Sequence, residues 1–190
     1  MPISSLLKYI SKTVSLSEED IKVLMRVFNY DIFKKGSLLE AENSVAQNLY
    51  FIKSGFARIY HFEDGNEITT SIGTPNSLIT SFESFLKGTP SSSNLKCITD
   101  CEMLYISRVD YDRIFVEIPS WEKFCRFNYE KIIANNFQRS NDLISLPAEK
   151  RYHKLVQSHP EIIQNVPIQY IASYIGIKPE SLSRIRKKIS

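Results

Sequence analysis

Residues 29–107 constrain the fold most, because short apolar or alternating runs follow one another there with turn residues between them. The run Phe56–Phe62 ends at Asp64-Gly65-Asn66, and Leu49–Ile52 ends at Ser54-Gly55. The remaining runs of this kind are Tyr30–Phe33, Glu67–Ile72, Leu95–Ile98 and Glu102–Ile106. Many short strands at regular spacing, separated by glycine-containing turns, predict a small antiparallel sandwich or barrel.

Helical patterns flank this region on both sides. Residues 1–28 place apolar side chains at helical spacing, and Ser17 stands before three acidic residues as an N-cap does. After Ser107 the chain is helical again, and Ile118-Pro119, Leu146-Pro147 and His159-Pro160 act as breaks. The predicted helices in this part cover residues 110–117, 120–145, 148–157, 168–175 and 179–189. The chain is therefore predicted to be α+β.

The predicted helix over 120–145 has two apolar stripes on opposite sides. One stripe is formed by Trp121, Phe124, Cys125, Ile132 and Leu143, and the other by Phe127, Ile133, Ala134, Phe137 and Ile144. A surface helix needs one apolar face. A second face suggests packing against another chain, while a helix enclosed within a single chain is an equally good interpretation of the pattern alone.

Composition excludes several classes of protein. With 43% hydrophobic residues the chain has enough apolar material for a core. No uncharged apolar stretch is long enough for a membrane span, and Lys8 and Lys12 interrupt any signal-peptide region. Three cysteines form no disulfide framework, and we expect a cytoplasmic protein. The histidines show no metal-ligand spacing, and no nucleophile–base pair can be argued, so we expect neither a metal site nor an enzyme.

The strongest functional signal is a helix-turn-helix pattern over residues 168–185. Ala172 is small where two helices approach, and Gly176 permits the turn between them. The predicted inward face consists of Ile171, Ile175, Ile177, Leu182, Ile185 and Ile189. The second helix then turns outward Glu180, Ser181, Ser183, Arg184, Lys187 and Lys188, which suits the DNA major groove. The surrounding residues 149–190 carry eight Lys or Arg against three Glu, which favours a polyanionic partner.

This stretch, with the preceding Pro147-Ala148-Glu149-Lys150-Arg151-Tyr152, resembles the C-terminal domain of the CRP/FNR family of bacterial transcription regulators. The resemblance implies three parts: a β-roll of the cyclic-nucleotide-binding type over 1–118, a dimerisation helix over 119–146 and a DNA-binding domain over 147–190. Glu180-x-x-Ser183-Arg184 is similar to the base-reading pattern of FNR-like members. Glu180, Ser181, Ser183 and Arg184 are accordingly expected to read bases. Contacts with DNA phosphates are assigned to Gln169, Ser173, Lys178, Lys187 and Lys188.

The sequence departs from the family pattern at two places. The printed chain ends at Ser190, so we expect no β-hairpin wing after the second helix. The run Ser81–Ser93 corresponds to the ligand segment of cyclic-nucleotide-binding members, where a glycine precedes a glutamate and an arginine follows a proline. Glu83 is present and is a candidate acceptor from a ribose hydroxyl, but Ser91, followed by Ser92, stands where the arginine would be. We therefore expect no cyclic AMP binding and assign no cofactor.

Two functions remain open from the sequence. The first is a dimeric transcription regulator whose roll senses an unidentified effector, with double-stranded DNA, a second copy of the chain and RNA polymerase as partners. The second is a module that binds a small molecule or a cyclic nucleotide and whose helical C-terminus contacts a protein. The outward Glu180/Ser183/Arg184 face and the basic C-terminus favour the first.

Overall fold

A computed structural model describes residues 2–189, except the side chain of Ile189, so the predicted inward position of that side chain lies outside the described residues. In this part of the chain, two four-stranded antiparallel sheets form a roll. The strands are β1 Asn29–Phe33, β2 Leu38–Glu40, β3 Asn48–Ser54, β4 Ala57–Glu63, β5 Asn66–Gly73, β6 Ser77–Ile79, β7 Asn94–Cys97 and β8 Cys101–Ser107. The first sheet has the order β1-β8-β3-β6 and the second β2-β7-β4-β5.

Strands β4 and β5 form a hairpin that becomes important for the site. Glu63 pairs with Asn66, which leaves Asp64 and Gly65 as a two-residue loop. Both loop residues have positive φ, 49° and 77°. Positive φ at both central positions matches the twist of a β-hairpin, and Asp-Gly is a preferred pair for it.

The helices before and after the roll share one apolar core with it. They are α1 Ser4–Ile10, α2 Glu18–Val27, α4 Arg108–Glu117 and the start of α5 Trp121–Ser145. Ser17 and Asp20 form a reciprocal capping box at the start of α2, as the acidic first turn predicts. Leu6, Phe51, Ile114 and Trp121 are among the buried members of this core. A short helix, α3 Phe82–Lys87, lies in the run that the sequence assigns to ligand binding.

The apolar side chains of helix α5 are buried at its start and largely exposed further along. Trp121, Phe124 and Cys125 of the first predicted stripe are buried, whereas Ile133, Phe137 and Ile144 of the second are 67%, 69% and 86% exposed. The structure therefore packs one stripe into its own chain and leaves the other uncovered.

Four helices follow α5: α6 Ala148–Ser158, α7 Pro160–Asn165, α8 Ile168–Tyr174 and α9 Pro179–Ile189. They enclose a second apolar core that also includes Phe56 and Ile98 of the roll. The predicted break at His159-Pro160 is present, since α6 ends at Ser158 with His159 as its C-cap. The sequence did not predict α7, which begins there because a proline fits the first position of a helix. The α+β class and the roll-plus-helices architecture are confirmed. No helix within residues 2–189 is long and apolar enough to cross a membrane.

Candidate nucleic-acid interface and ligand cavity

Helices α8 and α9 are joined by a tight turn at Gly176. That glycine has φ +71°, a left-handed conformation that disfavours other residues. The Ile177 amide donates to the Ala172 carbonyl at 3.0 Å and closes the turn. Ala172 and Leu182 are fully buried where the two helices meet. The predicted helix-turn-helix arrangement is thus present.

The outer face of α9 carries the predicted base-reading residues. Glu180, Arg184, Lys187 and Lys188 are exposed, while Ser181 and Ser183 are half-buried. In the described part of the chain, no hydrogen bond or salt bridge engages these six side chains with another residue. The structure therefore brings one acid, three cations and two hydroxyl groups onto one helix with their donors and acceptors available.

The predicted phosphate contacts are divided between two places. Lys187 and Lys188 lie on α9 with the reading residues, but Gln169, Ser173 and Lys178 line a cleft of about 630 Å³ against the β4–β5 hairpin. The Ser173 hydroxyl accepts from the Thr69 amide at 2.8 Å and donates to the Glu67 carbonyl at 3.2 Å. In this arrangement Ser173 is engaged with β5 and has no free donor for a phosphate.

A buried arginine, Arg58, connects the roll with α8 through its side-chain contacts. Arg58 on β4 is 1% exposed, bonds Thr69 Oγ1 at 3.1 Å and forms a salt bridge with Glu67. Its guanidinium lies between the ring of Tyr60, 4.1 Å away, and that of Tyr170 on α8, 3.7 Å away. Sequence reasoning missed this contact, since an arginine in a strand gives no sign of the helix it will meet more than a hundred residues later.

The predicted effector residues lie at one large cavity. Its volume is about 930 Å³, and it separates α3 and the following loop from β5, β6 and α5. Glu83, Ser91 and Ser92 all line it. Ser91 is buried. Its hydroxyl donates to the Ser93 carbonyl at 2.8 Å and accepts from the Ser93 amide at 3.0 Å, so it is hydrogen-bonded within its own loop.

The ligand segment contributes no free cation to this cavity. Lys87 of the Ser81–Ser93 segment bonds Glu83 at 2.8 Å, and this contact holds the pKa of the Glu83 carboxyl below its ordinary value. Within residues 2–189, the lysine and arginine that line the cavity are Lys131 and Arg139, and both belong to α5. Arg139 Nη2 donates to the carbonyls of Tyr174 at 2.9 Å and Thr69 at 3.5 Å. Sequence reasoning placed neither residue at a site.

The three cysteines are buried and unpaired. Burial raises the pKa of Cys125 to about 11, which keeps it a thiol at neutral pH. In the part of the chain that the structure describes, no cluster of three His, Cys, Asp or Glu side chains is arranged to hold a metal ion.

Comparison with known proteins supports this architecture. Residues 31–117 match the family model of the cyclic nucleotide-binding domain. The regulator CLP of Xanthomonas campestris, described as c-di-GMP responsive, is 17% identical, with a TM-score of 0.71 and 91% of each chain covered. A putative CRP/FNR-family transcriptional regulator from Eubacterium rectale is 16% identical, with a TM-score of 0.70 over 92% of this chain and 83% of that one.

The catabolite activator protein of Thermus thermophilus is 19% identical, with a TM-score of 0.55 over 92% of this chain and 84% of that one. No curated protein sequence matches the chain. Residues 31–117 thus match the model of the cyclic nucleotide-binding domain, and the fold of the chain is similar to that of solved CRP/FNR-type proteins. The resemblance that the sequence motifs predicted is confirmed at this level.

Proposed function

We propose that this protein is a DNA-binding transcription regulator of the CRP/FNR type that acts as a homodimer. The observation that carries the proposal is the outer face of α9, where Glu180 and Arg184 are exposed beside Lys187 and Lys188 and bond no other described residue. Its fold is also that of proteins described as transcription regulators. We propose no catalytic activity.

Base reading is assigned to Glu180, Ser181, Ser183 and Arg184. Arg184 can pair with O6 and N7 of guanine, and Glu180 can accept from the amino group of cytosine. These two side chains therefore favour different bases. Lys187, Lys188, Lys178 and Gln169 are assigned to phosphates, which fix register without reading sequence. Ser173 joins them only if α8 moves away from β5, because Thr69 and Glu67 hold its hydroxyl.

The dimer is proposed to form through α5. Its uncovered stripe, defined by Phe127, Ile133, Phe137 and Ile144, is the kind of apolar surface that soluble monomers rarely expose. In this division of labour, residues 1–118 sense an effector, 119–146 pair the two copies and 147–190 read DNA. RNA polymerase is the further partner that a regulator bound at a promoter would contact. A two-fold axis would place the two α9 helices in successive major grooves, about 34 Å apart.

Two alanine variants test this assignment. Arg184→Ala removes a base-edge contact, so it should cost about 1–3 kcal/mol per half-site and relax the sequence preference. Lys187→Ala removes a phosphate contact on the same helix, so it should weaken binding to all sequences alike and lower the salt slope by about one per subunit. Selection from random DNA, followed by titration at several salt concentrations, measures both effects.

The selected sequences should be palindromic, with half-sites about 10 base pairs apart. A motif and affinity unchanged by Arg184→Ala would show that α9 is not the reading helix. Failure to be retained on DNA at low salt would instead favour the alternative, a regulatory module whose C-terminal helices contact a protein.

A further inference from the structure

The connection between α5 and the four C-terminal helices is only two residues long. Leu146 follows the last residue of α5, and Pro147 precedes the first residue of α6. Leu146 has φ −105° and ψ 140°, the extended backbone that a residue before proline prefers, so α5 does not continue straight into α6. The direction in which α6–α9 leave α5 therefore depends on side-chain contacts across this junction.

Arg151 of α6 spans the junction with two hydrogen bonds. Its Nη1 donates to the Leu146 carbonyl at 2.5 Å, and its Nε donates to the Ile175 carbonyl at 2.8 Å. Leu146 is the C-cap of α5, and Ile175 is the C-cap of α8. Carbonyls at the end of a helix lack a partner in a following turn and carry partial negative charge, so a cation stabilises them. One guanidinium thus joins the ends of two helices.

Two further contacts act at the same end of α5. Lys154 Nζ bonds both carboxylate oxygens of Asp142, at 2.7 and 2.9 Å. Leu143 lies against the turn between α8 and α9, since a Cβ added at Gly176 would be 2.9 Å from Leu143 Cδ2. The last turns of α5 therefore contact both α6 and the helix-turn-helix.

The neighbouring cation Lys150 shows that Arg151 differs from the basic surface around it. Arg151 is half-buried and forms no salt bridge within residues 2–189, whereas Lys150 is exposed and its side chain bonds no other described residue. A guanidinium is planar and its donors point in fixed directions, so two bonded carbonyls constrain an angle as well as a distance. Arg151 therefore holds a geometry, and Lys150 contributes charge alone.

We propose that Arg151 is a positioning residue for DNA recognition, which fixes the α8–α9 turn relative to the end of α5 and so sets the half-site spacing that the dimer accepts. Arg151 itself is assigned no contact with DNA. The inference rests on the proposed function, in which α5 pairs two copies and α9 reads bases. A change in the angle between α5 and α9 moves the two reading helices relative to each other, while the bases that each helix reads stay the same.

The first test measures the placement of α9 on α5 in the full chain without DNA. Nitroxide labels are attached at Lys131→Cys and Lys187→Cys, whose positions are exposed, whereas the three native cysteines are buried. An excess of unlabelled chain, mixed in under conditions that exchange subunits, restricts the measured distances to pairs within one chain. Double electron–electron resonance should give a distance distribution about twice as broad in Arg151→Gln as in wild type, because a junction without this contact samples more angles. Lys150→Gln, which removes the same charge one residue away, should leave the distribution unchanged.

The second test compares palindromic DNA sites of two spacings. One additional base pair between the half-sites turns one of them by about 34° and moves it by about 3.4 Å. Wild type should bind the lengthened site about tenfold more weakly than the selected one, and Arg151→Gln should lose less than about threefold. The bases selected within each half-site should be the same for both proteins. A merely structural defect would weaken binding to both sites equally and leave their ratio unchanged.

A conservative variant and a second contact complete the design. Arg151→Lys keeps the charge but offers a single ammonium group to two carbonyls, so both readouts should lie between those of wild type and Arg151→Gln. If Arg151→Gln does not fold, Lys154→Gln replaces it. That change breaks the contact with Asp142 near the surface and should move both readouts in the same direction.

The inference is overturned if Arg151→Gln keeps the narrow label distribution of the wild type, if its affinity ratio between the two spacings equals that of the wild type, or if Lys150→Gln changes either readout as strongly. A chain that binds no DNA at low salt overturns the proposed function instead, and the label distances then still decide whether Arg151 places α9 on α5.

Discussion

Glu40 shows how one buried carboxyl makes the stability of this protein depend on pH. It is 7% exposed, and it accepts from Thr80 Oγ1 at 2.7 Å and from the Ser81 amide at 2.8 Å. These bonds favour the ionised form, but burial has the larger effect and raises the pKa of Glu40 above its ordinary value of 4.5. In this case desolvation outweighs hydrogen bonding.

The sign of the pH dependence follows from this shift. The folded state holds the Glu40 proton more tightly than the unfolded state, so the contribution is fully present below pH 4.5 and is lost as pH rises through the folded-state pKa. Glu40→Gln mimics the protonated side chain, which can still accept from Ser81 and donate to Thr80. The free energy of unfolding of the wild type relative to Glu40→Gln should therefore fall as pH rises above 4.5, measured by urea titration. A constant or rising difference would contradict the burial effect.

At the scale of elements, local patterns predicted those parts whose structure is decided locally. The strands β3, β4, β5 and β8 are long enough to show apolar runs, and the predicted runs lie within or near their observed bounds. Strands β2 and β6 have three residues each, too few to show a pattern, and they exist because β7 and β3 pair with them. The outward residues of α9 were predictable because helical periodicity alone determines them.

The other functional contacts depend on tertiary structure. Arg58 contacts Tyr170, and Arg139 contacts Thr69. The partners are far apart in the sequence, and no periodic pattern relates them. The same is true of Ser173, which residue type and position assign to a phosphate and which β5 engages instead. Sequence therefore predicted which side chains α9 exposes, and only the packed chain shows what holds that helix in place.

The turn between α8 and α9 gives a prediction at this scale. Gly176→Ala must adopt φ +71°, which should cost about 1–2 kcal/mol of unfolding free energy. The added Cβ would also lie 2.9 Å from Leu143 Cδ2, the end of a side chain that can rotate away. Backbone strain should dominate, so Gly176→Asn, which adds the same Cβ but tolerates the left-handed region, should lose less than Gly176→Ala. Equal losses of the two variants in urea unfolding would instead locate the cost in the Leu143 contact, which the shared Cβ makes in both.

At the scale of the molecule, Arg58 is a buried link between the roll and α8. Arg58→Met keeps the apolar stem but leaves Glu67 without its cation and Tyr170 without its stacking partner, so it should cost about 2–4 kcal/mol. Arg26→Met is the matched control, since Arg26 pairs with Glu117 at the surface and should cost less than about 1 kcal/mol. Equal small losses in urea unfolding would mean that the buried arginine does not secure α8.

The uncovered stripe of α5 bears on whether the protein is a monomer or a dimer. Ile133, Phe137 and Ile144 are each at least two-thirds exposed, and covering them with a second copy would bury apolar surface that water now contacts. Wild-type protein should therefore sediment at twice its mass of 22.0 kDa at micromolar concentrations.

Phe137→Glu should give monomers or aggregates, because a charge at the centre of such an interface loses its hydration without gaining a partner. Asn135→Glu adds the same charge on the opposite side of α5 and should remain a dimer. A wild type that stays at 22.0 kDa throughout this range would show that the stripe is not a dimer contact, and the two-fold spacing proposed for its DNA site would then have no structural basis.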